Sequence, residues 1–187
     1  MALDRKLAII DLSTGKIETK VIPLDLRKKF LGGRALDAYL LYNHTKKGCD
    51  PLGPGNTLLI SGGILTATCA SATARTHFMA KSPLTGLLGS ANMGGFFAPE
   101  LAWAGFHHLV IKGKAKKPVY IYIHNGEIEI RDAAYLWGKT TTETQWAIRE
   151  ELGDEEIKSC VIGPAGENLV TFANIMTGIK NAAGRTG

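Results

Sequence analysis

Apolar and polar positions alternate loosely over residues 7–11 and 16–22, on either side of Ser13-Thr14-Gly15. Period-two alternation across a turn of small residues predicts a β-hairpin. Pro23 ends it, and Asp25 is placed to cap a helix over LRKKFL that breaks at Gly32-Gly33. From 34 to 42 the period lengthens, with Leu36, Tyr39 and Leu40 on one side of a second helix. A loop rich in Gly and Pro spans 46–56. A short apolar strand follows at 57–61, then a small-residue loop to 73, then a strand-like run over 74–81 with Arg75 near its start.

The stretch that organises the chain is LGSANMGGFFAPELAWAG, residues 88–105. It reads as strand, glycine turn and short helix. Pro99 is tolerable in a first helical turn, and Gly105 suits the left-handed position after a helix. Successive unobstructed N–H groups ahead of a helix can receive an anion, and Asn92 adds a side-chain amide and a carbonyl at the mouth of the turn. Taken alone, such a pattern is more often a tight strand-to-helix corner with no ligand, since glycine turns are common.

Strands are predicted at 108–112, 119–124 and 127–132, the last two forming a hairpin around Asn125-Gly126. Thr140 or Thr141 caps a helix reaching Leu152, with Ile148 and Leu152 on one side and Trp146 off that stripe. Further strands are expected at 158–162 and 169–175, separated by a Gly163-Pro164-Ala165-Gly166 turn, and a loop over 177–187. Both halves run hairpin, helix, strand, glycine loop, then a small residue with Arg and Thr: Ala74-Arg75-Thr76 and Gly184-Arg185-Thr186. This order suggests an internal duplication in which each loop aims an arginine at one half of a two-part ligand. Hairpins make antiparallel pairs. The expected class is therefore α+β, with two largely antiparallel β-sheets and flanking helices.

With 187 residues, 45% of them hydrophobic, the chain can bury one substantial core, and residues 1–187 read as a single domain. No apolar run approaches the roughly 20 residues that span a bilayer, and the N-terminus has no signal-peptide core. The three cysteines, Cys49, Cys69 and Cys160, lack a CxxC spacing and read as reduced thiols of a cytoplasmic protein. The net charge of +5 fits a nucleic acid, an anionic ligand or an acidic partner. The lysines of 112–117 have no interleaved aromatics, which argues against nucleic acid. Neither a GxGxxG fingerprint in strand–helix context nor a GxxxxGK[ST] loop is present. The histidines lack metal-ligand spacing, and His107 and His108 cannot both face one ion from a strand. No nucleophile–base constellation is visible.

The segments KSPLTG (81–86), ANMGGFFAPELAWAG (91–105), KGKAKKPVYIYI (112–123), EIRDAAYLWGK (129–139), IGPAGENLV (162–170) and AAGRTG (182–187), with IIDLSTGKI (9–17) and LGGRAL (31–36), resemble the aldehyde ferredoxin oxidoreductase family. The resemblance covers essentially the whole chain and implies that family's N-terminal domain. It implies a saddle under a tungsten or molybdenum bis-pyranopterin cofactor, with Mg2+ bridging the pterin phosphates. By the same resemblance Arg75, Asn92, Met93, Gly94, Gly95, Ala182, Ala183, Gly184 and Arg185 bind the cofactor. The backbone carbonyls of Asn92 and Ala182 hold magnesium, with the register between Ala182 and Ala183 open by one residue.

The implied enzyme oxidises aldehydes to carboxylic acids and passes electrons to ferredoxin or an electron-transfer subunit. Its [4Fe–4S] cluster and catalytic residues belong to further domains, so this segment alone is expected to be inactive. The implied partners are those domains, with a homodimer allowed and neither nucleic acid nor membrane. The alternative is a non-catalytic binding or assembly module that keeps the fold.

Overall fold

The computed structural model describes residues 4–185. The first hairpin forms as β1 (Lys6–Asp11) and β2 (Lys16–Val21), with Asp11 opposite Lys16. The Asp11 carboxylate accepts the backbone N–H groups of Ser13 and Thr14 at 3.0 and 3.3 Å, which closes the turn. Helix α1 (Leu24–Phe30) starts directly after Pro23 with no side-chain cap. Asp25 thus lies inside the first turn rather than at the expected capping position, where its charge still complements the helix dipole. Helix α2 (Gly33–His44) follows the glycine break.

Strands β3 (Thr57–Gly62), β4 (Thr76–Lys81), β5 (Leu88–Met93) and β6 (His108–Lys112) join the hairpin in one six-stranded sheet of order β2-β1-β6-β3-β4-β5. Only β1–β6 is parallel; the other neighbours are antiparallel. Both faces of the central strands are buried, which accounts for their nearly continuous apolar sequences. On one face Leu7, Ile9, Leu59, Met79 and Val110 pack against Leu36, Leu40 and Leu41 of α2. On the other, Ala8, Ile10, Ile60, Phe78, Ala91, Met93 and Leu109 meet Leu101 of α3 (Phe97–Trp103) and Phe106. Gly105 closes α3 at φ +99°, the left-handed geometry expected of it.

The second half opens with the hairpin β7 (Val119–His124) and β8 (Glu127–Asp132), whose turn residues Asn125 and Gly126 both have positive φ. Helix α4 (Thr141–Leu152) carries a complete capping box between Thr140 and Glu143 and ends on a left-handed Gly153. The expected glycine-proline turn is the short helix α5 (Pro164–Glu167), with proline at its tolerated first position. The strands expected at 158–162 and 169–175 do not form. Val161 makes a single antiparallel bridge to Met176, and helix α5 interrupts any longer ladder. Instead β9 (Ile175–Thr177) pairs with β10 (Asn181–Ala183), which lies within the expected loop.

The α+β class holds: the described residues form ten strands, six in the large sheet and the rest in two separate two-stranded ribbons, β7–β8 and β9–β10. The two halves repeat in order and in pairing. Hairpin, helix, β3, β4 and β5 correspond to hairpin, α4, Val161, β9 and β10, and β4–β5 and β9–β10 are both antiparallel. Arg75 precedes β4, whereas Arg185 follows β10, so the two arginines are not equivalents within the repeat. The equivalent positions are Asn92–Met93–Gly94–Gly95 and Ala182–Ala183–Gly184–Arg185.

Candidate functional site

The ends of β5 and β10 are brought together by packing. Ala91, Met93 and Ala183 share one buried cluster, so the inward residues of both strands meet in the same core. Beyond them the chains touch through glycine. A Cβ on Gly94 would lie 2.7 Å from Asn181 Oδ1, and one on Gly95, whose φ is +92°, 3.1 Å from Thr177 Cγ2. A Cβ on Gly184 would collide with the Asn174 side chain. These glycines therefore let the two loops approach one another. The outward residues Asn92, Ala182 and Arg185 stay exposed, and exposed Arg75 enters β4, the strand paired with β5.

The second loop is held from α4. Buried Gln145 donates from Nε2 to the Gly178 carbonyl at 3.1 Å and accepts the Gly178 N–H at 2.6 Å. Gly178 is the left-handed residue between β9 and β10. One amide side chain thus satisfies both backbone groups of the turn. Helix α3 has only seven residues and no side-chain cap. The anion-receiving character of this region rests on the two loops rather than on that helix.

Beneath the first loop lies a buried polar network that the sequence did not reveal. Asp37 of α2 is fully buried over the sheet. Its carboxylate accepts hydrogen bonds from Ser61 Oγ and His77 Nδ1, each at 2.5 Å, and from His108 Nδ1 at 2.8 Å. Burial opposes its ionisation, but the hydrogen bonds from His108, His77 and Ser61 outweigh that and hold the carboxyl below its ordinary value. With the carboxylate ionised, both Nδ1 atoms donate to it, and the other ring nitrogen of His77, Nε2, hydrogen-bonds the Ser90 hydroxyl at 2.9 Å. His108, Ser61, His77 and Asn92 form one row across β6, β3, β4 and β5, because Ser61 pairs with both histidines and His77 pairs with Asn92. The row begins in the core and ends at exposed Asn92.

His107, just before β6, makes none of these bonds; its Nδ1 accepts the Lys6 N–H at 3.4 Å. Burial, with help from Arg5, His108 and Arg27, pushes its imidazole down to about 4. Burial also raises the Cys160 thiol, which makes it a poor thiolate ligand. Among the described residues no group of three or more His, Cys, Asp or Glu side chains could hold a metal ion. No helix among them is long and apolar enough to cross a membrane.

Residues 7–187 match the family described as aldehyde ferredoxin oxidoreductase, N-terminal domain. The chain belongs to this family. It is 50% identical over 178 residues to the tungsten-containing aldehyde ferredoxin oxidoreductase of Pyrococcus furiosus, a match that covers 95% of this chain and 29% of that protein. It is 37% identical, over its whole length, to the aliphatic sulfonate oxidoreductase WOR-like subunit of the same organism, covering 32% of it. Among solved structures, the active site complex BamBC of benzoyl coenzyme A reductase, in complex with 1,5-dienoyl-CoA, superposes with a TM-score of 0.94 at 37% identity. That match covers 97% of this chain and 28% of the other. The chain thus spans about three-tenths of the relatives it matches.

Within this family domain, the residues singled out from sequence fall into one neighbourhood for Asn92, Met93, Gly94, Gly95, Ala182, Ala183 and Gly184, with Met93 and Ala183 as buried supports. Arg75 stands at the entry to β4 and Arg185 at the exit from β10, while Thr186 and Gly187 lie outside the described residues. Asp37, His77, Ser90 and Gln145 escaped the sequence reading. The available signal was a set of polar residues at positions whose strand or helix neighbours are apolar: Asp37 beside Leu36 on α2, and His77 beside Phe78 on β4.

Proposed function

We propose that this chain is the cofactor-binding N-terminal domain, residues 1–187, of a tungsten- or molybdenum-dependent aldehyde:ferredoxin oxidoreductase. The observation that carries the reading is the equivalence of Asn92 and Ala182. Each is the exposed penultimate residue of its strand, followed by a buried residue and then by glycine, and the two strand ends pack together. A repeat that converges on itself this way offers two similar sites side by side, which suits a cofactor made of two similar halves. It also favours Ala182 over Ala183 as the partner of Asn92, since Ala183 is buried.

The donor set fits the group. Backbone carbonyls of Asn92 and Ala182 are hard oxygen ligands of the kind Mg2+ takes. Arg75 and Arg185 supply guanidinium N–H groups suited to phosphate oxygens or to the polar edge of a pterin. Residues 92–95 and 181–185 contain no ionisable side chain except Arg185, so this segment binds and orients but moves no proton. The bound metal centre would supply the two-electron oxidation of aldehyde to carboxylic acid, with electrons leaving through a [4Fe–4S] cluster held by the rest of the enzyme to ferredoxin. The names of the relatives favour tungsten over molybdenum. The sulfonate and benzoyl-CoA relatives share this domain with other substrates, which supports assigning cofactor handling to it and substrate choice to the remaining domains. A cytoplasmic enzyme is the matching location.

The test is the full-length enzyme with Arg75→Ala or Arg185→Ala, assayed for bound tungsten and molybdenum per chain. Loss of one charge-assisted bond, about 1.5–3 kcal/mol, predicts roughly ten- to a hundred-fold weaker retention. Full metal content in both variants would remove the arginines from the site.

A further inference from the structure

The buried Asp37 network ends at the strand that carries Asn92, and the contact it makes there is specific. Strand β5 is an edge of the six-stranded sheet, with β4 as its sole neighbour in that sheet. Its residues alternate: Ala91 and Met93 point into the core shared with Ala183, while Ser90 and Asn92 fall on the α2 side. An edge strand held by one ladder frays more readily than a central strand. Ser90 is tied across that ladder by its hydroxyl, 2.9 Å from His77 Nε2. His77 cannot move to accommodate a shift, because its other nitrogen is locked 2.5 Å from Asp37 Oδ2 and its side chain is 95% buried. Asp37 is in turn immobilised by Ser61 and His108.

We infer that Ser90, through His77 and Asp37, is a positioning residue that sets the end of β5 so that the Asn92 carbonyl and the Gly94-Gly95 amides face the ligand. This inference rests on the cofactor reading above for the identity of the ligand, but not for the tie itself. The network is shaped for the task. Asp37, on α2, gathers one donor each from β3, β4 and β6, so three strands and a helix fix the imidazole. The imidazole then reaches the one strand of the row that does not touch Asp37 directly, two residues before Asn92.

Two serines of one network separate positioning from general stability. Ser61 and Ser90 each contribute one hydroxyl bond, but Ser61 sits on central β3 and Ser90 on edge β5. In the full-length enzyme, hydrogen exchange of the backbone amides of 88–95 is measured for wild type, S90A, S61A and S90T. The metal lost during dialysis against a chelator is followed in parallel. The expected result is that S90A exchanges about five-fold faster at the β5 end, the size one neutral hydrogen bond carries, and loses tungsten or molybdenum correspondingly faster. S61A, which leaves the His77 and His108 bonds to Asp37 in place, lowers the unfolding temperature but speeds exchange at the β5 end clearly less than S90A does, and S90T, which keeps the hydroxyl, restores both readings. Equal acceleration in S61A and S90A, an S90A loop that exchanges as wild type, or a loosened loop with metal loss unchanged would each overturn the inference. A wild-type enzyme holding neither metal would instead overturn the cofactor reading, and the exchange data would still judge the tie.

Discussion

At the scale of single residues, small and polar side chains decide the candidate site. Gly94 is there because the Asn181 side chain occupies the space of its Cβ. Gly94→Ala in the full-length enzyme should push the loops apart and lower bound metal, and adding Asn181→Ala should recover much of it by vacating that space. A double mutant no better than Gly94→Ala would show that the alanine acts elsewhere. His107 carries a second prediction. Its imidazole is depressed from 6.5 to about 4, so the folded state holds it neutral over a range where the unfolded chain is protonated. Its contribution is full above pH 6.5 and falls as pH drops towards 4. Asp37, also held below its ordinary value, loses its contribution in the same direction. His107→Gln should therefore flatten the fall in unfolding temperature between pH 6.5 and 4, leaving the Asp37 loss at the acid end.

At the scale of elements, hairpins and capped helices follow their local signals. Asn125-Gly126 forms the turn its dipeptide predicts, and Thr140 with Glu143 forms the capping box that starts α4. Where the local signal is weak, tertiary contacts decide. Strand β10 exists because its Ala183 packs with Ala91 and Met93 and because Gln145, 33 residues from Gly178, satisfies the turn. Gln145→Ala leaves a backbone N–H and a carbonyl of that turn without their partner. It should cost about 1–3 kcal/mol and raise amide exchange over 175–183 before the six-stranded sheet is affected. Unchanged protection there would separate Gln145 from the second loop.

At the scale of the whole molecule, the chain carries apolar surface that it does not cover. Trp103, Trp146, Phe172 and Ile179 are each more than 60% exposed. A cavity of about 840 Å³ opens between the large sheet and the β7–β8 ribbon, lined by Leu58, Ile60, Ile111, Ile121 and Ile123. Single apolar residues are ordinary on a surface, but here all three tryptophans, Trp103, Trp137 and Trp146, are more than half exposed. Because the chain spans about three-tenths of its relatives, the remaining domains are the expected cover. The 187-residue polypeptide expressed alone should bind a hydrophobic dye and self-associate, and the full-length protein should do neither. Equal dye binding by both would count against this surface being an internal interface.

Local chemistry along the chain was enough to specify the hairpins, the capped helix, the α+β class and the glycine loops, because turn residues, caps and period-two alternation act over a few neighbours. The match of motifs from 9 to 187 placed the family. What only the tertiary structure decided are the features made between distant segments. Residues 24 to 71 apart meet on Asp37, Asn174 and Asn181 fill the spaces beside Gly184 and Gly94, and Arg75 and Arg185 occupy different places in the two repeats. A buried carboxylate shared by a serine and two histidines has no sequence spacing of its own. Its partners are set by strand order and register, which depend on how the whole sheet closes over α2.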